Sequence, residues 1–142
     1  MMEQRVYNLE ERLVEFASMI IEIDELLPNT RAGNHLGGQL LRSGTSPALN
    51  YGEAQAAESR NDFIHKMKVC LKELRETNIC LKIILNRKML ENKGLIDKTF
   101  DESKQLIAIF TTSVETAESN SNETNEKGNK SYNLKKVKEK IM

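Results

Sequence analysis

Tryptophan is absent from this chain of 142 residues, and aromatic residues make up only 5% of it. Hydrophobic residues nevertheless reach 39%, and six residues are methionine. β-Sandwiches and β-barrels are richer in Val, Thr and Tyr, so this composition favours an aliphatic helical core. A chain of this length forms one domain with a modest core.

Cysteine is also scarce, and the two that occur do not predict a disulfide. Cys70 and Cys80 lie ten residues apart in one predicted helix, about 15 Å at the helical rise, which is too far for a bridge. Two reduced thiols are typical of a cytoplasmic protein.

Long hydrophobic runs are missing, as is an N-terminal basic region followed by an apolar one. The sequence therefore predicts no secretory signal, no membrane span and no membrane partner. Twenty-one basic residues balance twenty-one acidic ones. The net charge alone thus argues neither for nor against a nucleic-acid partner, and the distribution of charge has to decide.

Four amphipathic segments with apolar residues three and four apart predict helices. We place them at about 4–27, at 31–58, from Ser59 or Asn61 to a stop at Gly94, and at 96–117, with Asn29 or Thr30 capping the second. Their predicted core residues are Val6, Leu9, Leu13, Phe16, Ile20, Ile23 and Leu27; Leu36, Leu40, Pro47, Tyr51 and Ala54; Phe63, Met67, Cys70, Leu74, Thr77, Leu81 and Ile84; and Ile96, Phe100, Leu106, Ile107, Phe110 and Val114. Short connections make the fold an all-α, up-down-up-down antiparallel four-helix bundle over residues 1–117.

The composition changes after residue 117. Ser, Asn, Glu and Lys dominate residues 118–142, which predicts a disordered polar tail. The last stretch, "NLKKVKEKIM", is basic, and the alternative is a short helix that orders on a partner.

The second predicted helix contains several residues that disfavour a helical conformation. Gly37, Gly44, Ala48 and Gly52 follow one flank, where small residues let another helix approach closely and offset a cost of about 1 kcal/mol per glycine. Pro47 predicts a kink that leaves a carbonyl without its partner, and nearby serine hydroxyls are candidates to satisfy that defect.

A polar set lies along the other flank of this helix. Arg42, Ser46, Asn50 and Glu53 are spaced four, four and three residues apart. The third helix carries Glu73 and Glu76 on one flank, so we expect an ion pair from Arg42 to one of them that fixes register between packed helices. A solvated stripe is the alternative.

The stretches "LLRSGTSPALNYGEA", "ESRNDFIHKMKVCLKELRET" and "QLIAIFTTSVETA" resemble the bacterial 23S rRNA-intervening-sequence, or S23-type, proteins. The resemblance covers about residues 5–117. It implies a four-helix bundle that forms a ring-like homopentamer of unknown biochemical role. It also implies a relation to the accessory variability determinants of diversity-generating retroelements, which bind a reverse transcriptase and nucleic acid.

Carried over by position, the resemblance marks a set of polar residues as structural or interfacial: Arg42, Ser43, Ser46, Asn50, Glu53, Glu73 and Glu76. The chain departs from the family's pattern at Pro47, where a run without proline is common, and at Cys80, where an aromatic residue often stands. The tail lies outside the resemblance.

No catalytic or metal site is expected. His35 and His65 do not follow a glutamate at the spacing of a di-iron motif. Cys70 occupies the apolar seam without an oriented histidine, and "GNHLGGQ" lacks the phosphate-loop spacing. The sequence thus predicts a non-enzymatic protein without a cofactor.

Charge is distributed unevenly between the first and third helices. Residues 60–93 carry nine basic and four acidic side chains, and Lys68, Lys72, Arg75 and Lys82 share one flank. This flank is the candidate nucleic-acid surface, for RNA or DNA. The alternative is that it pairs with the acidic first helix, in the same subunit or the next.

Oligomerisation is also predicted from the residues themselves. Leu41, Ala48, Leu49 and Ala56 are not on the core face of the second helix, and such surplus apolar surface indicates a partner. We therefore expect a structural or protein-interaction module that associates with itself. The alternative function is a nucleic-acid-binding accessory protein.

Overall fold

The computed structural model describes residues 8–126, with side chains through 120. These residues form α1 (Leu9–Leu26), α2 (Arg31–Gln55), α3 (Arg60–Asn86) and α4 (Lys93–Glu126), and they contain no strand. Each helix packs against its neighbours in the chain, and α1 also packs against α4. The predicted up-down-up-down four-helix bundle is confirmed.

Side-chain caps begin the first three helices. Asn8, Thr30 and Ser59 each accept a hydrogen bond from the backbone N–H three residues later, which satisfies one of the unpaired N–H groups of a helix start. The structure thus selects Thr30 over Asn29 and Ser59 over Asn61. α2 ends at Gln55, three residues before the predicted end.

The predicted stop of the third helix at Gly94 is wrong. The backbone of Lys88 turns into the left-handed region with φ of 52°, and the N–H groups of Lys88 and Met89 close back onto the carbonyls of Leu85 and Ile84. This is a Schellman motif with lysine at the position that glycine usually takes. Gly94 instead lies in the first turn of α4.

The core agrees with the predicted seams in most positions. All seven predicted residues of α3 are buried, as are five of α1 and four of α2. Val6 lies outside the described residues, and Leu27 and Leu36 are only partly buried.

The prediction for α4 needs correction at two positions. Phe100 and Ile107 are only partly buried, whereas Thr99 and Ser103 are buried. The hydroxyls of Thr99 and Ser103 donate to carbonyls of their own helix at 2.7 and 2.6 Å. Buried hydroxyls satisfied in this way are tolerated in a core, and the two larger side chains move to its edge.

α4 also continues past the predicted helix end at residue 117. Ala117 is fully buried, and one residue later Glu118 accepts a salt bridge from Lys68 at 2.6 Å. The helix runs on to Glu126. The rest of the predicted tail, 127–142, lies outside the described residues.

Candidate functional site

Two glycines of α2 permit close contact with α1. A Cβ atom at Gly44 would lie 2.7 Å from Cγ1 of Ile20, and one at Gly37 would collide with the carboxylate of Asp24. The predicted close approach is therefore present at these two positions. Gly52 differs because nothing lies within 4 Å of the place its Cβ would occupy.

Pro47 is buried within α2, which continues from Arg31 to Gln55 without a break. The neighbouring serine hydroxyls contact other groups. Ser43 Oγ lies 2.8 Å from Thr77 Oγ1, and Ser46 Oγ accepts from Asn50 Nδ2 at 2.8 Å. The serines thus belong to polar contacts, the first of which links α2 to α3.

Both ion pairs considered for Arg42 are present. Its Nη1 donates to Glu73 Oε1 at 3.0 Å and its Nη2 to Glu76 Oε2 at 2.7 Å. The hydrogen bond with Glu76 raises the pKa of Arg42, and the same bond lowers the pKa of Glu76. Glu73 is mostly buried, with 12% of its side chain exposed, so the guanidinium supplies the charge partner that a buried carboxylate needs.

Beneath this pair lies a small buried hydroxyl cluster. Thr77 Oγ1 is 2.8 Å from Ser43 Oγ and 2.8 Å from the carbonyl oxygen of Glu73. Thr77 has a single hydroxyl proton. When this proton is donated to the carbonyl oxygen of Glu73, Ser43 Oγ donates its own proton to Thr77 Oγ1. Both hydroxyls are fully buried, and each satisfies the other.

The polar set ends with a third contact between α2 and α3. Lys66 Nζ donates to Glu53 Oε1 at 2.6 Å, and this bond raises the pKa of Lys66. Arg42, Ser43 and Glu53 therefore contact α3. Ser46 and Asn50 instead hydrogen-bond to each other within α2. Sequence reasoning missed Lys66 and Thr77 as partners, although a threonine in an otherwise apolar seam was a signal for a buried polar contact.

Among the described residues, one side chain of the basic flank of α3 forms an ion pair and three do not. Lys68 pairs with Glu118. Lys72, Arg75 and Lys82 are exposed and form no ion pair with a described residue. α1 and α3 occupy opposite corners of the bundle, so the flank is not paired with the acidic α1 of the same chain.

The side chains considered for chemistry lie apart. Cys70 and Cys80 are free and buried, and burial raises the pKa of their thiols to about 12 and about 11. These thiols are protonated at neutral pH and are poor nucleophiles. His35 and His65 are exposed.

The described part of the chain contains neither a candidate metal site nor a candidate membrane span. Within residues 8–126 no group of three or more His, Cys, Asp or Glu side chains is arranged to hold a metal ion. No helix in that range has the length and apolar character needed to cross a membrane.

Large apolar side chains are exposed on α2 and α3. Leu49 of α2 is 68% exposed, and Ile79 and Ile83 of α3 are 54% and 43% exposed. The two isoleucines line an open groove of about 340 Å³ between α2 and α3. Its other lining residues are His35, Leu36, Gln39, Ser43, Glu76 and Cys80.

Comparison with known proteins gives a family and a structural relative. A family model described as the 23S rRNA-intervening sequence protein matches residues 6–111. A crystal structure of a protein of unknown function from the S23 ribosomal protein family of Bacteroides thetaiotaomicron VPI-5482 is 28% identical, with a TM-score of 0.70. The match covers 77% of this chain and 100% of that one.

No curated protein matches the chain significantly. The family match spans most of the chain, and the structural relative has the same architecture over its whole length. The chain therefore belongs to the 23S rRNA-intervening sequence protein family.

Proposed function

We propose that this protein is a non-enzymatic subunit that associates with copies of itself into a ring and acts as a structural or protein-interaction module. The observation that carries the proposal is the outer face of α2. From Gly38 to its last turn, the exposed and half-exposed residues of this face are small or apolar and uncharged: Gly38, Leu41, Thr45, Ala48, Leu49 and Gly52, followed by the C-cap Ala56. The polar residues of the face, Arg31 and Asn34, lie in the first turn of the helix.

The two exposed glycines of this face support a partner. Nothing in the chain lies within 4 Å of a Cβ built at Gly38 or Gly52. An exposed helical glycine costs about 1 kcal/mol relative to alanine, and packing within the bundle does not offset it here. Close packing of a second chain on these glycines offsets this cost, just as close packing of α1 offsets it at the inner residue Gly44.

The groove between α2 and α3 supplies a second, different surface. It is lined by exposed Ile79 and Ile83 and by Leu36. Arg42 is bound to Glu76, which is one of the residues that line this groove. Two unlike apolar surfaces favour a head-to-tail contact, which closes into a ring when the rotation allows. The subunit number of five comes only from the family resemblance.

The test is sedimentation of Leu49→Lys beside a matched control, Ala108→Lys, at an exposed position of α4. A lysine in the contact leaves a charge in an apolar interface. We expect Leu49→Lys to sediment as a smaller species with unchanged helicity, and Ala108→Lys to sediment like the parent. Equal sedimentation of both variants with the parent contradicts the proposed interface.

A second candidate function is nucleic-acid binding, and it is favoured by Lys72, Arg75 and Lys82, which are exposed and form no ion pair with a described residue. Exposed cations that no described carboxylate holds in an ion pair can contact phosphates. In a ring these side chains repeat once per subunit. Binding to a reverse transcriptase, which the family resemblance implies, stays a prediction.

This candidate is tested by RNA and DNA binding as a function of salt. Changing Lys72, Arg75 and Lys82 to glutamate should abolish binding, or flatten the slope of log affinity against log salt by about one unit for each lost phosphate contact. Lys98→Glu with Lys104→Glu on α4 is the control. No binding at low salt removes this function and leaves the first proposal intact.

A further inference from the structure

The outer face of α1 is a third exposed surface, separate from the outer face of α2 and from the groove between α2 and α3. Val14 and Ile21 lie two turns apart on this face and are 50% and 43% exposed. By contrast, α4 exposes no large hydrophobic side chain within the described residues. The seven-residue spacing places both side chains in one apolar stripe on the same face of α1.

The stripe lies on an acidic helix. α1 contains six acidic residues and one basic residue, a balance of minus five. The basic residue, Arg12, is held by Glu102 of α4 at 2.8 Å. Glu11, Glu15 and Glu22 are exposed and form no ion pair with a described residue. Their carboxylates are therefore available to pair with basic side chains of a partner.

The chain itself contains a segment of matching chemistry after the described residues. Residues 127–142 carry six lysines and one glutamate, a balance of plus five. Leu134, Val137 and Ile141 are spaced three and four residues apart, which places them on one face of a helix. An apolar face flanked by lysines is the complement of an apolar stripe flanked by glutamates.

We propose that residues 134–142 of one copy dock on the outer face of α1 of a neighbouring copy. The segment sets its apolar face against Val14 and Ile21, and its lysines lie beside Glu11, Glu15 and Glu22. This inference rests on the proposed self-association, since the contact joins two copies.

The reach of the chain requires a neighbouring copy. Arg12 lies level with Glu102, and Glu126 is 24 residues further along α4, about 36 Å at the helical rise. The eight steps from Glu126 to residue 134 span at most about 29 Å. Ile21 lies further from Glu126 than Arg12 does. If the segment folded back along its own chain, it would therefore not reach Ile21.

The absence of tryptophan from the chain permits a direct test. Val137→Trp in the full chain places a single fluorophore in the docking segment. We expect blue-shifted emission and quenching by acrylamide that is several-fold weaker than for a solvated indole. Raising the salt from about 0.1 M to about 1 M, which shortens the Debye length from about 10 to about 3 Å, should weaken this protection.

Charge reversal on α1 tests whether the docking depends on the acidic residues of that helix. Glu15→Lys with Glu22→Lys should return the emission of the tryptophan to that of a solvated indole, whereas Asp97→Lys with Asp101→Lys on α4 should leave it blue-shifted. Solvent-like emission in the parent, or emission insensitive to the α1 changes, overturns the docking.

Light scattering on the same samples separates this inference from the proposed function. An oligomer with a solvent-exposed tryptophan overturns the docking alone. A monomer overturns the self-association, and a protected tryptophan in that monomer overturns the contact between copies.

Discussion

The two long faces of α2 meet their neighbours by different means. Against α1, glycine removes the side chain, so that the branched Ile20 packs onto the backbone at Gly44. Against α3, hydroxyls and charges bridge the helices, from the buried Ser43–Thr77 contact to the pairs of Arg42 at the surface. The first contact depends on space and the second on hydrogen-bond partners, so different substitutions should damage them.

The largest expected effect is at Gly44. A Cβ there would lie 2.7 Å from a side-chain atom of Ile20, which is fully buried. Gly44→Val should therefore lower the free energy of unfolding by about 1–3 kcal/mol or more through overpacking. Denaturant titration measures this change.

Gly94→Ala is the matched control because its Cβ would meet nothing closer than 3.8 Å. We expect this substitution to leave stability unchanged or raise it by up to about 1 kcal/mol. Equal effects at the two glycines would mean that space at the α1–α2 contact is not limiting.

The second effect is on the buried hydroxyls. Thr77→Val keeps the shape of the side chain but leaves Ser43 Oγ without its partner, which should cost about 1–3 kcal/mol. Adding Ser43→Ala removes the orphaned hydroxyl and should recover part of that loss in a double-mutant cycle. Strict additivity of the two substitutions would show that the hydroxyls are not coupled.

The smallest effect is at the exposed end of the same boundary. Arg42 lowers the pKa of Glu76, so the pair contributes stability above the usual value of 4.5 and loses it as the pH falls through the lower folded-state pKa. Glu76→Gln should cost at most about 1 kcal/mol at neutral pH. The gap to the parent should close in acid, and a gap independent of pH would contradict the pairing.

The contact of α2 with α3 could be predicted from the sequence more fully than its contact with α1. The Arg42 pairs were predictable because oppositely charged residues recur at helical spacing on two packed segments. The roles of the glycines were only partly predictable, since spacing cannot tell Gly44, which faces Ile20, from Gly52, which faces open space.

Two other features depended on details that periodicity does not encode. Lys88 adopts the left-handed conformation expected of glycine, so the sequence pattern placed the end of α3 at Gly94. Thr99 and Ser103 are buried because each donates to a carbonyl of α4, and hydrophobicity alone assigns those sites to larger side chains such as Phe100.

We propose that the small residues on the outer face of α2 let a second copy approach, just as the inner glycines of α2 let α1 approach. The most direct measurement is the molar mass of the full chain in solution by light scattering at micromolar concentration. We expect a multiple of the 16.2 kDa chain mass. A mass of one chain at that concentration would contradict it.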